Sequence, residues 1–292
     1  MLLPKLLATA LLLLTSASAA PSPVEQRDTK YFHEPGFDDS LGHYDVRYYR
    51  GEPVSYEEKS DSLHHLIRSY LISFRERNIE TWIAHGTLLG WWWNGKIMPW
   101  DWDLDVQVSG WTLTWLGENL NMTMHNYTFV ADDGSEVQRE YLLDVNPNHI
   151  ERVRGDGQNV IDARWIDVRN GLFIDITGLS ETNPSTQPGV WSCKNLHRYR
   201  TRDLYPLRET IFEGVPASVP YSFDRILTQE YSERALTKTF HEGHRWMPEL
   251  KEWVKVTVAG PPRSPMTNAR PHVPRSLEPR QRSGLGNLLR LF

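Results

Sequence analysis

The chain reads as a mixed α/β domain, and three observations predict that class. One is an amphipathic helix early in the chain, another is a pair of separate stretches with strict strand alternation, and the third is a globular composition. Of the 292 residues, 39% are hydrophobic and 24% charged, the ordinary balance of a folded domain. A chain of this length can bury a sizeable core. The sole cysteine is Cys193, so no intrachain disulfide can form. It is expected to be a buried structural thiol, with no Cys/His pair apparent around it. The net charge of −5 and pI near 6.1 give no bulk-charge argument for nucleic-acid binding. Twelve tryptophans make aromatic packing a large part of the core, or else a surface for stacking on sugars.

Residues 1–20 have the grammar of a signal peptide: Lys5, an apolar run from Leu6 to Leu14, then small residues to Ala20. The run is short for a bilayer span, which needs roughly 20 apolar residues. A membrane link is therefore expected only if the segment stays uncleaved. A secretory route, to the ER or Golgi lumen or out of the cell, follows. Sequons at Asn121 and Asn126 agree with it. Residues 21–55 read as a polar arm lying on the domain, and residues 56–258 as the domain itself. Beyond that, in 259–292, prolines alternate with arginines and few apolar residues occur, the composition of a disordered basic tail.

Within the domain, Leu63, Leu66, Ile67, Tyr70, Leu71 and Phe74 keep a helical period, with Ser60 or Asp61 as expected cap. Thr81–Ala84 reads as a short strand ended by Gly86. Leu88–Trp93 then forms a short helix, and Asn94-Gly95 a turn. From Asp103 the chain alternates: Leu104, Val106 and Val108 on one face, Asp103, Asp105 and Gln107 on the other. Leu172–Thr177 alternates likewise, with Asp175 on the polar face. Segments 140–145 and 160–168 are further candidate strands, and 222–236 a helix.

Strand period places Asp103 and Asp105 side by side. Adjacent carboxylates raise each other's cost of ionising, and a cation removes it. All-oxygen ligands suit Mg²⁺ or Mn²⁺, with substrate phosphate completing the shell. Asp175 is a candidate third ligand from another strand. Asp101 is a further ligand or a base for an acceptor proton. His85, Gly86 and Thr87 are candidate substrate contacts, because a glycine turn at a helix start can hold phosphate on backbone N–H groups. Lys96 and Arg164 are candidate phosphate cations. Asp162 and Asp167 have opposite parity, so at most one faces a site. Two of Trp91, Trp92 and Trp93 are expected in the core. The His64-His65 and His241–His244 groups lack a convincing zinc set.

The run His85-Gly86-Thr87-Leu88-Leu89-Gly90 followed by Pro99-Trp100-Asp101-Trp102-Asp103-Leu104-Asp105 resembles the LicD/fukutin-related family, and is similar to fungal members linked to mannosylphosphate transfer. Asp162–Asp167, Gly171–Ile176, Leu204–Leu207 and Phe212–Pro216 resemble its later blocks. One departure stands out: Tyr231-Ser232 where family members often carry Tyr-Gly. The resemblance implies a nucleotidyltransferase-like mixed sheet flanked by helices. It also implies transfer of a phosphorylated group from a nucleotide-diphosphate donor, GDP-mannose or a CDP-linked compound, to a glycan or glycoprotein hydroxyl. Two other classes compete: a non-catalytic lumenal regulator that keeps the fold, and a secreted glycan-binding module.

Overall fold

The computed structural model describes residues 29–38 and 40–256. The signal-like segment and the whole Pro/Arg-rich tail therefore lie outside the described residues. Among the described residues no helix is long and apolar enough to cross a membrane.

The first helix, α1 (Tyr56–Glu76), begins earlier than its apolar period suggests. Its cap is neither Ser60 nor Asp61 but Ser55, whose hydroxyl accepts from the Glu58 N–H. The first two turns are polar and carry no apolar period, which is why the pattern missed them. Next come β1 (Trp82–Ile83), α2 (His85–Asn94), β2 (Leu104–Ser109) and α3 (Gly110–Asn119). Gly86 does not end a strand in an open turn; it lies in the first turn of α2. Gly90, farther along α2, lets the helix close on the following loop: a Cβ there would meet the Lys96 carbonyl at 2.5 Å.

An antiparallel run follows: β3 (Thr123–Val130), β4 (Glu136–Val145), β5 (Ala163–Asp167) and β6 (Phe173–Glu181). The main path of the sheet is β1-β2-β6-β5-β4-β3. β2 and β6 pair parallel, and the other neighbours on that path pair antiparallel. β7 (Val190–Ser192) and β8 (Arg198–Arg200) extend β6. A short α4 (Thr201–Leu204), the hairpin β9 (Arg208–Phe212) with β10 (Val215–Val219), α5 (Phe223–Ala235) and a small sheet of β11 (Phe240–His241), β12 (His244–Met247) and β13 (Glu252–Lys255) complete the chain.

Strand parity sorts the sheet into two faces. Leu104, Val106, Val108, Leu143, Ala163, Trp165, Ile174 and Ile176 are buried in the core with Leu63, Leu66, Tyr70 and Phe74 of α1. Tyr70 and Phe74 meet the Trp165 ring edge-on. The opposite face is polar. Register aligns Asp105 of β2 with Asp175 of β6, Asp175 with Arg164 of β5, and Arg164 with Asp144 of β4. One charged row thus crosses four strands. The N-terminal arm covers its β4–β5 end, while α2 and α5 border the β2 end.

The three tryptophans of α2 are all half-buried against the core. Trp91 donates to Thr210 Oγ1 at 2.8 Å, and Trp93 donates to the Ala235 carbonyl at 3.2 Å. Trp93 also packs on Trp246 and Trp253 of the small sheet.

Candidate functional site

The carboxylates gather where the 99–103 loop enters β2. Lys59 of α1 anchors that loop: its buried ammonium donates to the Pro99 and Asp101 carbonyls at 3.1 and 2.7 Å and lies over the Trp102 ring. The β9–β10 turn holds it from the other side, since Glu213 Oε1 accepts the Ile97 N–H at 2.6 Å. Thr87 fixes the start of β2 by accepting the Asp105 N–H on its hydroxyl at 2.8 Å. Asp101, Asp103 and Asp105 end up as neighbours, with Asp103 the most exposed. Burial, then the Asp103 charge, pushes Asp101 well above the usual carboxylate range and Asp105 up to about 8.

A Cβ on Gly86 would sit 3.5 Å from Asp101 Oδ2 and 3.9 Å from the Tyr231 hydroxyl, both contact distances, so the first turn of α2 lies directly against these two side chains. Tyr231 is held protonated by burial and by Glu230, Asp105, Asp101 and Asp103 around it. A cleft of about 300 Å³, bordered by Lys59, His64, Met98, Asp101 and Glu213, opens beside Asp101.

Other candidates are placed differently. Asp175 stands beside Asp105 in register, but its Oδ1 accepts Arg164 Nε at 2.8 Å. Burial raises the Asp175 carboxyl, and Arg164 pulls against that. Arg164 is not an open phosphate cation. It is 3% exposed, donates its other arm to Glu34 Oε1 at 2.6 Å, and lies between the Phe32 and Phe173 rings. Lys96 is an exposed partner of Glu252, which the chain pattern could not reveal because 156 residues separate them. Asp162 receives Arg152 and Lys194, and Asp167 receives Arg169, so neither joins the acid group. Asn121 and Asn126 are exposed at and near β3.

His85 points its Nδ1 to Glu230 Oε2 at 2.9 Å, and Gln107 Nε2 is 3.3 Å from its Nε2. Burial opposes its charge, but Glu230 outweighs burial and raises its pKa to about 9. Tyr199 donates to Glu230 Oε1 at 2.5 Å. The expectation of no Cys/His pair is corrected here: Cys193 Sγ lies 3.4 Å from His197 Nδ1. The two are only four residues apart and joined by a tight turn. Burial raises the thiol and lowers the imidazole to about 4, so the pair is neutral rather than an activated nucleophile. Glu230, Tyr231 and His197 are the site residues that sequence reasoning missed. Only the Tyr231-Ser232 position gave a signal.

That signal has a structural counterpart. Ser232 interrupts α5 with φ 68° and ψ 162°, a region essentially confined to glycine. The break turns Glu230 and Tyr231 toward the acids. Residues 78–222 match the LicD/FKTN/FKRP nucleotidyltransferase domain. The chain carries a LicD-family domain. This LicD domain is also similar to two proteins of Saccharomyces cerevisiae. One is Mannosyltransferase regulator 4, 28% identical over an alignment of 291 positions that covers 94% of this chain and 23% of that protein. The other is Mannosyltransferase regulator 14, 32% identical over 161 residues, which are 55% of this chain and 15% of that protein. The chain thus spans about a quarter or less of the length of these relatives.

Proposed function

We propose that the LicD domain transfers a phospho-linked group, such as mannosyl phosphate, from a nucleotide-diphosphate donor to a glycan hydroxyl in the secretory pathway. The observation that carries this reading is the crowding of Asp101, Asp103 and Asp105 against the first turn of α2, with a cleft opening beside Asp101. A scaffold gains nothing from acids that raise one another; a cation-binding site does. Their all-oxygen donor set fits Mg²⁺ or Mn²⁺, and Asp103 and Asp105 would hold the ion, with Asp175 as the adjacent third acid. When bound, the ion would offset the charge of the donor diphosphate and of the leaving oxygen.

The chain's own residues supply the rest. The first turn of α2 offers backbone N–H groups to phosphate, and the Tyr231 hydroxyl lies on the same side. The acceptor hydroxyl oxygen forms a bond to the distal phosphorus while the bond to the nucleoside monophosphate breaks. Asp101, whose carboxyl burial holds well above the usual range, is placed to take the hydroxyl proton. The cleft bordered by His64, Met98 and Glu213 is the natural seat for the acceptor sugar.

A donor screen tests this: GDP-mannose and CDP-linked donors, Mg²⁺ or Mn²⁺, and a mannan acceptor, with release of GMP or CMP measured. Release by the wild type that is abolished in Asp103→Ala supports transfer. The names of both relatives favour a second reading, a regulator of a mannosyl transfer made by another protein. Absence of nucleotide release from a folded, metal-binding protein, with stimulation of a separate transferase, would establish that reading instead.

A further inference from the structure

Beside the oxygen-only acid group lies a second set of ligating side chains with different chemistry. His85, His197 and Glu230 each present a ligand atom, and these atoms all lie within 4.8 Å of one another. They come from α2, the turn before β8, and α5, so the fold itself assembles them. The two imidazole rings are 4.3 Å apart between centroids. Two imidazoles and one carboxylate are a donor set that zinc takes. Nitrogen ligands select against Mg²⁺ and for the later first-row ions.

The outer atoms of the three side chains are also held, as outer partners orient metal ligands. Tyr199 donates to Glu230 Oε1 at 2.5 Å, leaving Oε2 facing His85. Cys193 occupies Nδ1 of His197 at 3.4 Å, which leaves Nε2 of that ring for a ligand. Gln107 stands at Nε2 of His85, and its carboxamide oxygen already accepts the Trp82 indole N–H at 3.0 Å. The His85 Nδ1 and Glu230 Oε2 atoms, 2.9 Å apart, now share a proton that a metal would replace.

We propose that His85, His197 and Glu230 bind a transition-metal ion of the Zn²⁺ class, separate from the oxygen-liganded ion of the acid group. Binding displaces the shared proton to solvent, so it weakens as pH falls. The ion would tie the first turn of α2 to α5, and so hold Gly86 against Tyr231. The site stands on its own ligands and does not require that the domain be a transferase.

Co²⁺ titration of the chelator-treated full chain tests it, because four-coordinate cobalt with nitrogen ligands absorbs strongly in the visible and six-coordinate oxygen-liganded cobalt only weakly. Wild type and Asp103→Ala are expected to give the strong bands at one ion per chain. His197→Ala is expected to lose them, with affinity at least about tenfold weaker and an unchanged circular-dichroism spectrum. If His197→Ala fails to fold, Glu230→Gln, which keeps an oxygen for Tyr199, is read instead, with the same loss expected. Weak bands only in the wild type, bands that vanish in Asp103→Ala, or bands that persist in folded His197→Ala or Glu230→Gln would overturn the assignment.

Discussion

The two ends of the charged row on the polar sheet face are built from the same residue types and behave in opposite ways. At the β4–β5 end, acids meet arginines. Asp144 and Asp45 share Arg47, and Glu34 and Asp175 share Arg164. The arm closes over these pairs, and Tyr31 adds its hydroxyl to Asp144. At the β2 end, acids meet acids: Asp103 raises both Asp101 and Asp105. The nearest lysine, Lys59, uses its ammonium on backbone carbonyls. Charge matched inside the chain is architecture. Charge that His85 and Lys59 offset only in part is a demand for something from outside.

Four substitutions sharpen or break that contrast. The largest effect belongs to the matched end. Arg164→Met leaves Glu34 and Asp175 buried without their cation and should cost about 3–5 kcal/mol of stability, read by urea unfolding. A loss under about 1 kcal/mol would mean that the arm end is not held by charge.

At the unmatched end the signs differ. Asp105→Asn should cut nucleotide release on the order of 10²–10³-fold. It should leave the metal-free thermal midpoint equal or higher, because one member of a repelling group is gone. A lower midpoint with full activity would reverse the roles assigned to the two ends.

A smaller effect concerns the core side. His65 stacks on Phe129 with centroids 3.6 Å apart, and His125 lies against Trp165. Burial lowers each to about 4 from the ordinary imidazole value of about 6.5. Folded-state pKa values below the unfolded ones mean that their contribution is complete above pH 6.5 and is lost as pH falls through about 4. Stability should decline over that window, and His65→Phe, which keeps the stack, should flatten part of the decline in a pH series of denaturation curves. An unchanged slope would show that the histidine is not what titrates.

The smallest effect is expected at Ser232. Its strain of about 1–3 kcal/mol would be relieved by glycine, less the extra entropy glycine loses, about 0.5–1 kcal/mol. Ser232→Gly should therefore raise stability by about 1 kcal/mol with turnover unchanged. A loss of stability would mean that the hydroxyl is held by a contact worth more than the strain.

What the sequence made legible follows from local periodicity. Alternation at 104–108 and 172–177 placed Asp105 and Asp175 on polar faces, and the structure sets them in register. The period at 63–74 found the buried stripe of α1. Pairings across long separations were not legible. Nothing near Arg164 announces Glu34, 130 residues away, and nothing near His85 announces Glu230, 145 residues away. α3 and β3 escaped as well. α3 buries only Leu113 and Leu116, and β3 exposes alternate residues of mixed polarity at the sheet edge, so neither writes a strong pattern.

The parallel pairing of β2 with β6 also bears on the order of events in folding. From β2 the chain crosses to the far edge of the sheet and returns strand by strand through β3, β4 and β5 before β6 reaches β2. The antiparallel returns close short loops, whereas the β2–β6 contact closes a long one and costs the most chain entropy. Arg164 and Asp175 meet across β5 and β6, so Asp175 acquires its counter-ion before it is brought against Asp105. The like charges are thus joined last, onto a partner already neutralised. Conservative mutations in β4 and β5 should accordingly slow refolding, while those in β2 should chiefly speed unfolding.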